Sequence, residues 1–204
     1  MTNMPLKASI KKVASCSEAD FSKVVSHALG AKLEYWKDNH ESNHLAGLVI
    51  KESVRPPIGK MAWWTDMSTS EKSKSKPLWR WQGFKRELDI VIGVEAEFDD
   101  GEKTIVPFIA IELKSSDRIN TDELDKKSAI YSSLKDSYPW VKTIFLHRNL
   151  EKRSMGYEVF LRNARGFNYA FYEWDEETLN MIWKAIEVQL EYTVDYWCLA
   201  GDET

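Results

Sequence analysis

Asp89 and the pair Glu112 and Lys114 are the residues of this chain best suited by type and spacing to do chemistry. Asp89 lies in LDIVIG (88–93), and Glu112 and Lys114 lie in IAIELKSS (109–116), two runs otherwise apolar enough to be buried strands. Burying such charges is costly unless they are paired or hold a metal. Between the runs stands Asp100-Gly101, a dipeptide that favours a tight hairpin turn. A turn centred there, or a symmetric loop over 99–102, sets Asp89 opposite Glu112 and Glu87 opposite Lys114. Side chains on a strand alternate, so all four project from one face. Ile90 with Ile111, Ile92 with Ile109 and Val94 with Pro107 form the other, core-directed face. Pro107 cannot donate to the ladder and marks the place where a bulge would change the pairing.

Two carboxylates directly opposed on a sheet repel unless something cationic sits between them. A hard divalent cation such as Mg²⁺, with Mn²⁺ as a substitute, prefers carboxylate oxygens and keeps several waters. Lys114, one pleat along, could hold or deprotonate an attacking water, or offset charge building on a phosphate. The set suits metal-assisted hydrolysis of a phosphodiester. The competing account is a surface salt-bridge square, with Glu87 on Lys114 and Asp89 offset by Arg86, which would contribute little to stability.

The elements that must position these residues follow from caps and periodicity. Ser17, followed by Glu18 and Asp20, opens a helix whose apolar face carries Phe21, Val24, Val25, Ala28, Tyr35 and Trp36, ending near residue 38. LAGLVIK (45–51) predicts a short strand, and 52–77, with Pro56-Pro57 and STSEKSKSKP, includes an exposed loop. Strands follow over 86–98 and 103–116, then a helix over about 121–138 opened by Asn120 and Glu123, then a strand at 141–147. GYEVFLR (156–162) and FNYAFYE (167–173) predict a second hairpin, and Asp175 caps a last helix with Leu179, Ile182, Trp183, Ile186 and Leu190 on its buried stripe. The expectation is an α/β (α+β, mixed-sheet) fold in one domain. Its core covers about 17–150, with a C-terminal strand–strand–helix extension over 151–204.

The acidic strand, the IELK of 111–114 on its neighbour, and the helix and strand that follow resemble the PD-(D/E)XK nuclease superfamily, with its restriction-endonuclease-like αβββαβ core. The element order matches over roughly 17–150, while motif identity is confined to Asp89–Lys114, and Leu88 stands where the family name has proline. The resemblance implies a Mg²⁺-dependent nuclease. Asp89, Glu112 and the backbone carbonyl of Leu113 would bind the metal, and Lys114 would be the catalytic lysine. Some branches add a glutamate from the first helix, for which Glu34 is the candidate here. Others carry Gln-x-x-x-Tyr on the helix after the lysine, a spacing that Lys127 and Tyr131 match. DNA is the expected substrate, in restriction, defence or DNA processing, with a homodimer if both strands of a duplex are cut.

Residues 72–86, KSKSKPLWRWQGFKR, hold six basic and no acidic residues. Lys72, Lys74, Lys76, Arg80, Lys85 and Arg86 suit phosphates, and the interleaved Trp79 and Trp81 suit stacking on bases. The whole chain has net charge −4 and a pI near 5.7, so a polyanion must be met by such a local patch. A non-catalytic nucleic-acid-binding or assembly protein on the same fold would use this segment and leave the charged square structural. A third reading comes from His40-Glu41-Ser42-Asn43-His44, a literal HExxH, which on a helix would set two imidazoles on one face for zinc. Its polar flanks and the nearby Gly47 favour a solvated helix end instead. Two distant cysteines without a CxxC pair, an N-terminus lacking a signal-peptide core and the want of any membrane-length apolar run predict a cytoplasmic protein without a membrane partner.

Overall fold

A computed structural model of the chain describes residues 17–40, 47–64, 78–97, 103–116, 119–149 and 157–201. The elements in order are α1 (Glu18–Asp38), β1 (Leu48–Val54), β2 (Pro57–Trp64), β3 (Leu78–Lys85), β4 (Leu88–Glu97), β5 (Lys103–Lys114), α2 (Thr121–Ser137), β6 (Lys142–His147), α3 (Tyr157–Asn163), β7 (Tyr169–Phe171) and α4 (Glu176–Gly201). The fold is mixed α/β. Five strands form one sheet in the order β1-β4-β5-β6-β7, and β2 and β3 form a separate antiparallel ribbon. The first three strands of the sheet are antiparallel to their neighbours, whereas β5, β6 and β7 run parallel.

Side-chain caps start three helices. The Ser17 hydroxyl accepts the Asp20 amide at 3.2 Å, Asn120 accepts the Glu123 amide at 2.7 Å, and Asp175 accepts the Thr178 amide at 2.7 Å. Helices cover both faces of the sheet. Phe21, Val25, Leu29 and Leu33 of α1 and Leu179, Ile182, Ile186 and Leu190 of α4 bury against Ile90, Ile92, Ile109, Ile111 and Ile144. On the reverse face Leu124, Tyr131 and Leu134 of α2 and Phe160 of α3 bury against Leu88, Val91, Ala110 and Phe145. The face that carries Asp89 and Glu112 is therefore itself roofed by a helix.

The β4–β5 register matches the expectation where it matters, with Ile90 facing Ile111 and Ile92 facing Ile109. Beyond Ile92 it shifts by one residue, so that Gly93 faces Pro107 and Val94 faces Val106 rather than Pro107. Pro107 and the extra residue Phe108 account for this bulge. A Cβ on Gly93 would lie 2.0 Å from the Val106 carbonyl oxygen, so only glycine allows this approach. Trp140 Nε1 donates to the Pro107 carbonyl at 3.0 Å, beside the bulge. The shift also leaves Glu97 paired with Lys103, so the connection spans five residues rather than two or four.

The C-terminal expectation needs correction. Residues 157–162 of the segment expected as a strand lie in helix α3 (Tyr157–Asn163), and β7 pairs in parallel with β6, so the expected second hairpin does not form. Phe160 decides this locally. On a helix it turns onto Phe145, with ring centroids 5.7 Å apart, and so closes the core over the sheet. The extension is helix–strand–helix.

Candidate functional site

Strand pairing alone brings Asp89 and Glu112 together, because Ile90 and Ile111 face each other one residue further along β4 and back along β5. Glu112 is 2% exposed, and Asp89 is half-buried. The Leu113 amide donates to Asp89 Oδ2 at 2.7 Å, so Asp89 is anchored to the backbone of the strand that carries its partner. Burial, and then the charge of Asp89, push the Glu112 carboxyl up to about 7 against the pull of Lys127 and Tyr131. Burial likewise raises Asp89, against the Leu113 amide and Lys127.

The roof is built from α2. Glu123, Lys127 and Tyr131 recur every four residues and so lie on one stripe facing β5. Tyr131, fully buried, donates its hydroxyl to Glu112 Oε2 at 3.1 Å. Lys127 forms an ion pair with Glu112 Oε1. Glu123 reaches Lys114, Oε1 to Nζ, at 2.5 Å, and Glu18 Oε2 approaches the same ammonium at 3.6 Å from the first turn of α1. Burial pulls the Lys114 ammonium down, but these two acids outweigh it and leave the group above its ordinary value.

Of the residues singled out in the sequence, Asp89, Glu112, Lys114, Leu113, Lys127 and Tyr131 share this site. Glu34 does not. It stands exposed on α1, paired with Lys37 at 3.1 Å. The first-helix acid at the site is Glu18, at the end of α1 nearest Lys114. Glu87 does not face Lys114 either, since it lies outside β4 and binds Arg55 (Nη2 at 2.6 Å, Nε at 3.0 Å), whose guanidinium lowers its carboxyl. No charged square forms. Glu123 escaped notice because its role as a helix-opening acid already accounted for it. Its spacing of four and eight from Lys127 and Tyr131 was the available signal.

Trp79, Arg80, Trp81 and Lys85 lie on β3, where Trp79 pairs with Trp63 and Trp81 with Met61 across the ribbon. Arg86 follows, exposed, in the two-residue link between β3 and β4. Lys72, Lys74 and Lys76 lie outside the described residues. Of the HExxH motif only His40 is among the described residues; α1 ends at Asp38 with Asn39 as its cap. His40 lies beyond that end, stacked on Trp36 with centroids 4.0 Å apart and bonded through Nδ1 to the Trp36 carbonyl at 2.8 Å. Glu41 and His44 fall outside the described residues.

No protein-family model matches the chain, and no curated protein matches it. Among the described residues no helix is long and apolar enough to cross a membrane. Nor do three or more histidine, cysteine or acidic side chains converge on one point among them. The donor set is two carboxylates, side by side in a partly dry place, each raised by its surroundings. That chemistry fits a hard cation that brings water ligands of its own.

Proposed function

We propose that this chain is a metal-dependent nuclease of the PD-(D/E)XK type, hydrolysing phosphodiester bonds in DNA. The observation that carries the reading is the opposition of Asp89 and Glu112 across β4 and β5, with Lys114 one pleat beyond Glu112. Three antiparallel strands followed by a parallel one, with α1 and α2 on opposite faces, support it as the arrangement the resemblance implies. Leu113 turns its N–H toward Asp89, and in an extended strand the carbonyl of a residue points to the same neighbour as its N–H. That carbonyl is thus suited to join Asp89 and Glu112 as a third oxygen ligand. Mg²⁺ on this set would activate water and neutralise charge building on the phosphate. Lys114, held as an ammonium by Glu123 and Glu18, would orient that water or offset charge building on the phosphate. The β2–β3 ribbon and Arg86 lead the basic segment of 72–86 to the end of β4 where Asp89 stands. A two-stranded ribbon is also one of the shapes that a DNA groove admits.

The test is cleavage of single- and double-stranded DNA and RNA with Mg²⁺, Mn²⁺ or EDTA. Metal-dependent cutting abolished by Asp89→Ala, Glu112→Ala and Lys114→Ala, each with an unchanged circular dichroism spectrum, supports the reading. Cutting that survives in those variants, or none on any substrate, overturns it.

A second reading has one observation in its favour. Glu112 and Lys114 are already neutralised from within the protein, by Lys127 and by Glu123. A non-catalytic nucleic-acid-binding protein would keep such a network for structure alone. It would retain DNA in a gel-shift assay without cutting it, and Asp89→Ala would leave that retention intact.

A further inference from the structure

Resting on the metal-site reading above, we propose that Lys127 is an internal counter-ion that guards the Asp89–Glu112 pair and sets how tightly a divalent cation is held there. The ammonium of Lys127 lies on Glu112 Oε1, while Tyr131 serves the other oxygen. Its charge also acts on Asp89, so one lysine answers both carboxylates that the hairpin forces together. Lys114 cannot share the task, since Glu123 and Glu18 hold it.

Charge balance makes this arrangement exclusive. Fully ionised, the carboxylate pair carries two negative charges, enough to neutralise either a dication alone or one ammonium with a charge left over. A dication and the Lys127 ammonium together would overfill the site and repel one another at close range in a partly desolvated place. Lys127 has somewhere to go. Its side chain is 33% exposed, whereas Glu112's is 3% exposed, and a four-carbon stem allows the ammonium to swing toward water while the stem stays packed. Tyr131 is fully buried and keeps its hold on Glu112, so the carboxylate remains in place when the lysine leaves. Metal uptake thus includes the cost of breaking an ion pair, and affinity is lower than two carboxylates would otherwise provide.

The experiment is isothermal titration of the full chain with Mn²⁺, alongside melting temperatures with and without Mg²⁺. Lys127→Gln and Lys127→Met are expected to bind Mn²⁺ about tenfold tighter or more, the effect of removing one close like charge. Lys127→Arg, which keeps the charge, stays near wild type. Without metal, Lys127→Gln melts lower than wild type because Glu112 loses its counter-ion, and saturating Mg²⁺ restores it. Equal or weaker binding by both neutral variants, with wild type binding and the site lost in Asp89→Ala, overturns the guard while leaving the metal site standing. No uptake by any folded form, or uptake unaffected by Asp89→Ala and Glu112→Ala, overturns the metal site itself and the guard with it.

Discussion

Tyr131 donates its hydroxyl to Glu112 across 3.1 Å, and both residues are buried under α2. Tyr131→Phe removes one donor from a carboxylate that has little water to replace it. The expected loss is about 1–2 kcal/mol by urea denaturation at pH 8, where Glu112 is charged. The loss shrinks at pH 5.5, where Glu112 is mostly protonated and needs the donor less. Equal losses at both values would mean that the hydroxyl serves no charge.

Glu112 also gives the protein a pH signature. Its carboxyl lies at about 7 in the fold against an ordinary 4.5, so folding favours the protonated form. The stability tied to that proton is fully present below about pH 4.5 and is lost as pH rises through 7. The shift corresponds to about 3 kcal/mol at most. Glu112→Gln lacks the effect, so between pH 5 and 8 its stability relative to wild type should climb, measured by urea midpoints in EDTA. A constant difference across that range would contradict the raised carboxyl.

Under the nuclease reading, Glu123 is a positioning residue for Lys114. Glu123→Gln keeps the shape but releases the ammonium. Cleavage kcat is expected to fall about tenfold with KM unchanged, in the range typical of groups that orient a reacting side chain. Stability should change by less than about 1 kcal/mol, because the pair is partly solvated. A rise in KM with kcat unchanged would instead make Glu123 a substrate contact.

Ser53 has φ of 53°, in the left-handed region that side chains avoid. It sits on β1 between the pairs Glu52–Ile90 and Val54–Leu88, and so beside Asp89. Ser53→Gly relieves the strain, less the extra freedom glycine gains when unfolded. A gain of about 0.5–1 kcal/mol in urea denaturation is expected. A loss would mean that the serine hydroxyl, which also reaches Glu87, outweighs the strain.

The hairpin was legible because its strands are dense in β-branched residues and a one-residue slip would bury Asp89 in the apolar core. Alternation therefore determined which carboxylates meet. The same pattern could not reveal that α2 covers the charged face, since that depends on how the chain returns after Lys114. Alternation misled at Glu87, where the strand has ended and a local arginine takes the carboxylate. GYEVFLR has strand-like residues, yet Phe160 is better buried from a helix, and the partner of β7 is β6 rather than its sequence neighbour. Glu34, the first-helix acid that the resemblance suggested, lies away from the site for a related reason, while Glu18 stands at it. Both are helix acids, and only tertiary placement puts the first turn of α1 beside Lys114.

Val54 and Leu88 are paired neighbours in the sheet, although more than thirty residues separate them in sequence. Arg55 and Glu87, the residues just beyond that pair, clasp across the neck of the intervening segment. The β2–β3 ribbon thus joins the sheet through a closed stalk, and β2 packs against α2 as well. A change in the ribbon therefore reaches the sheet by two routes, through the stalk and through the helix that carries Lys127 and Tyr131.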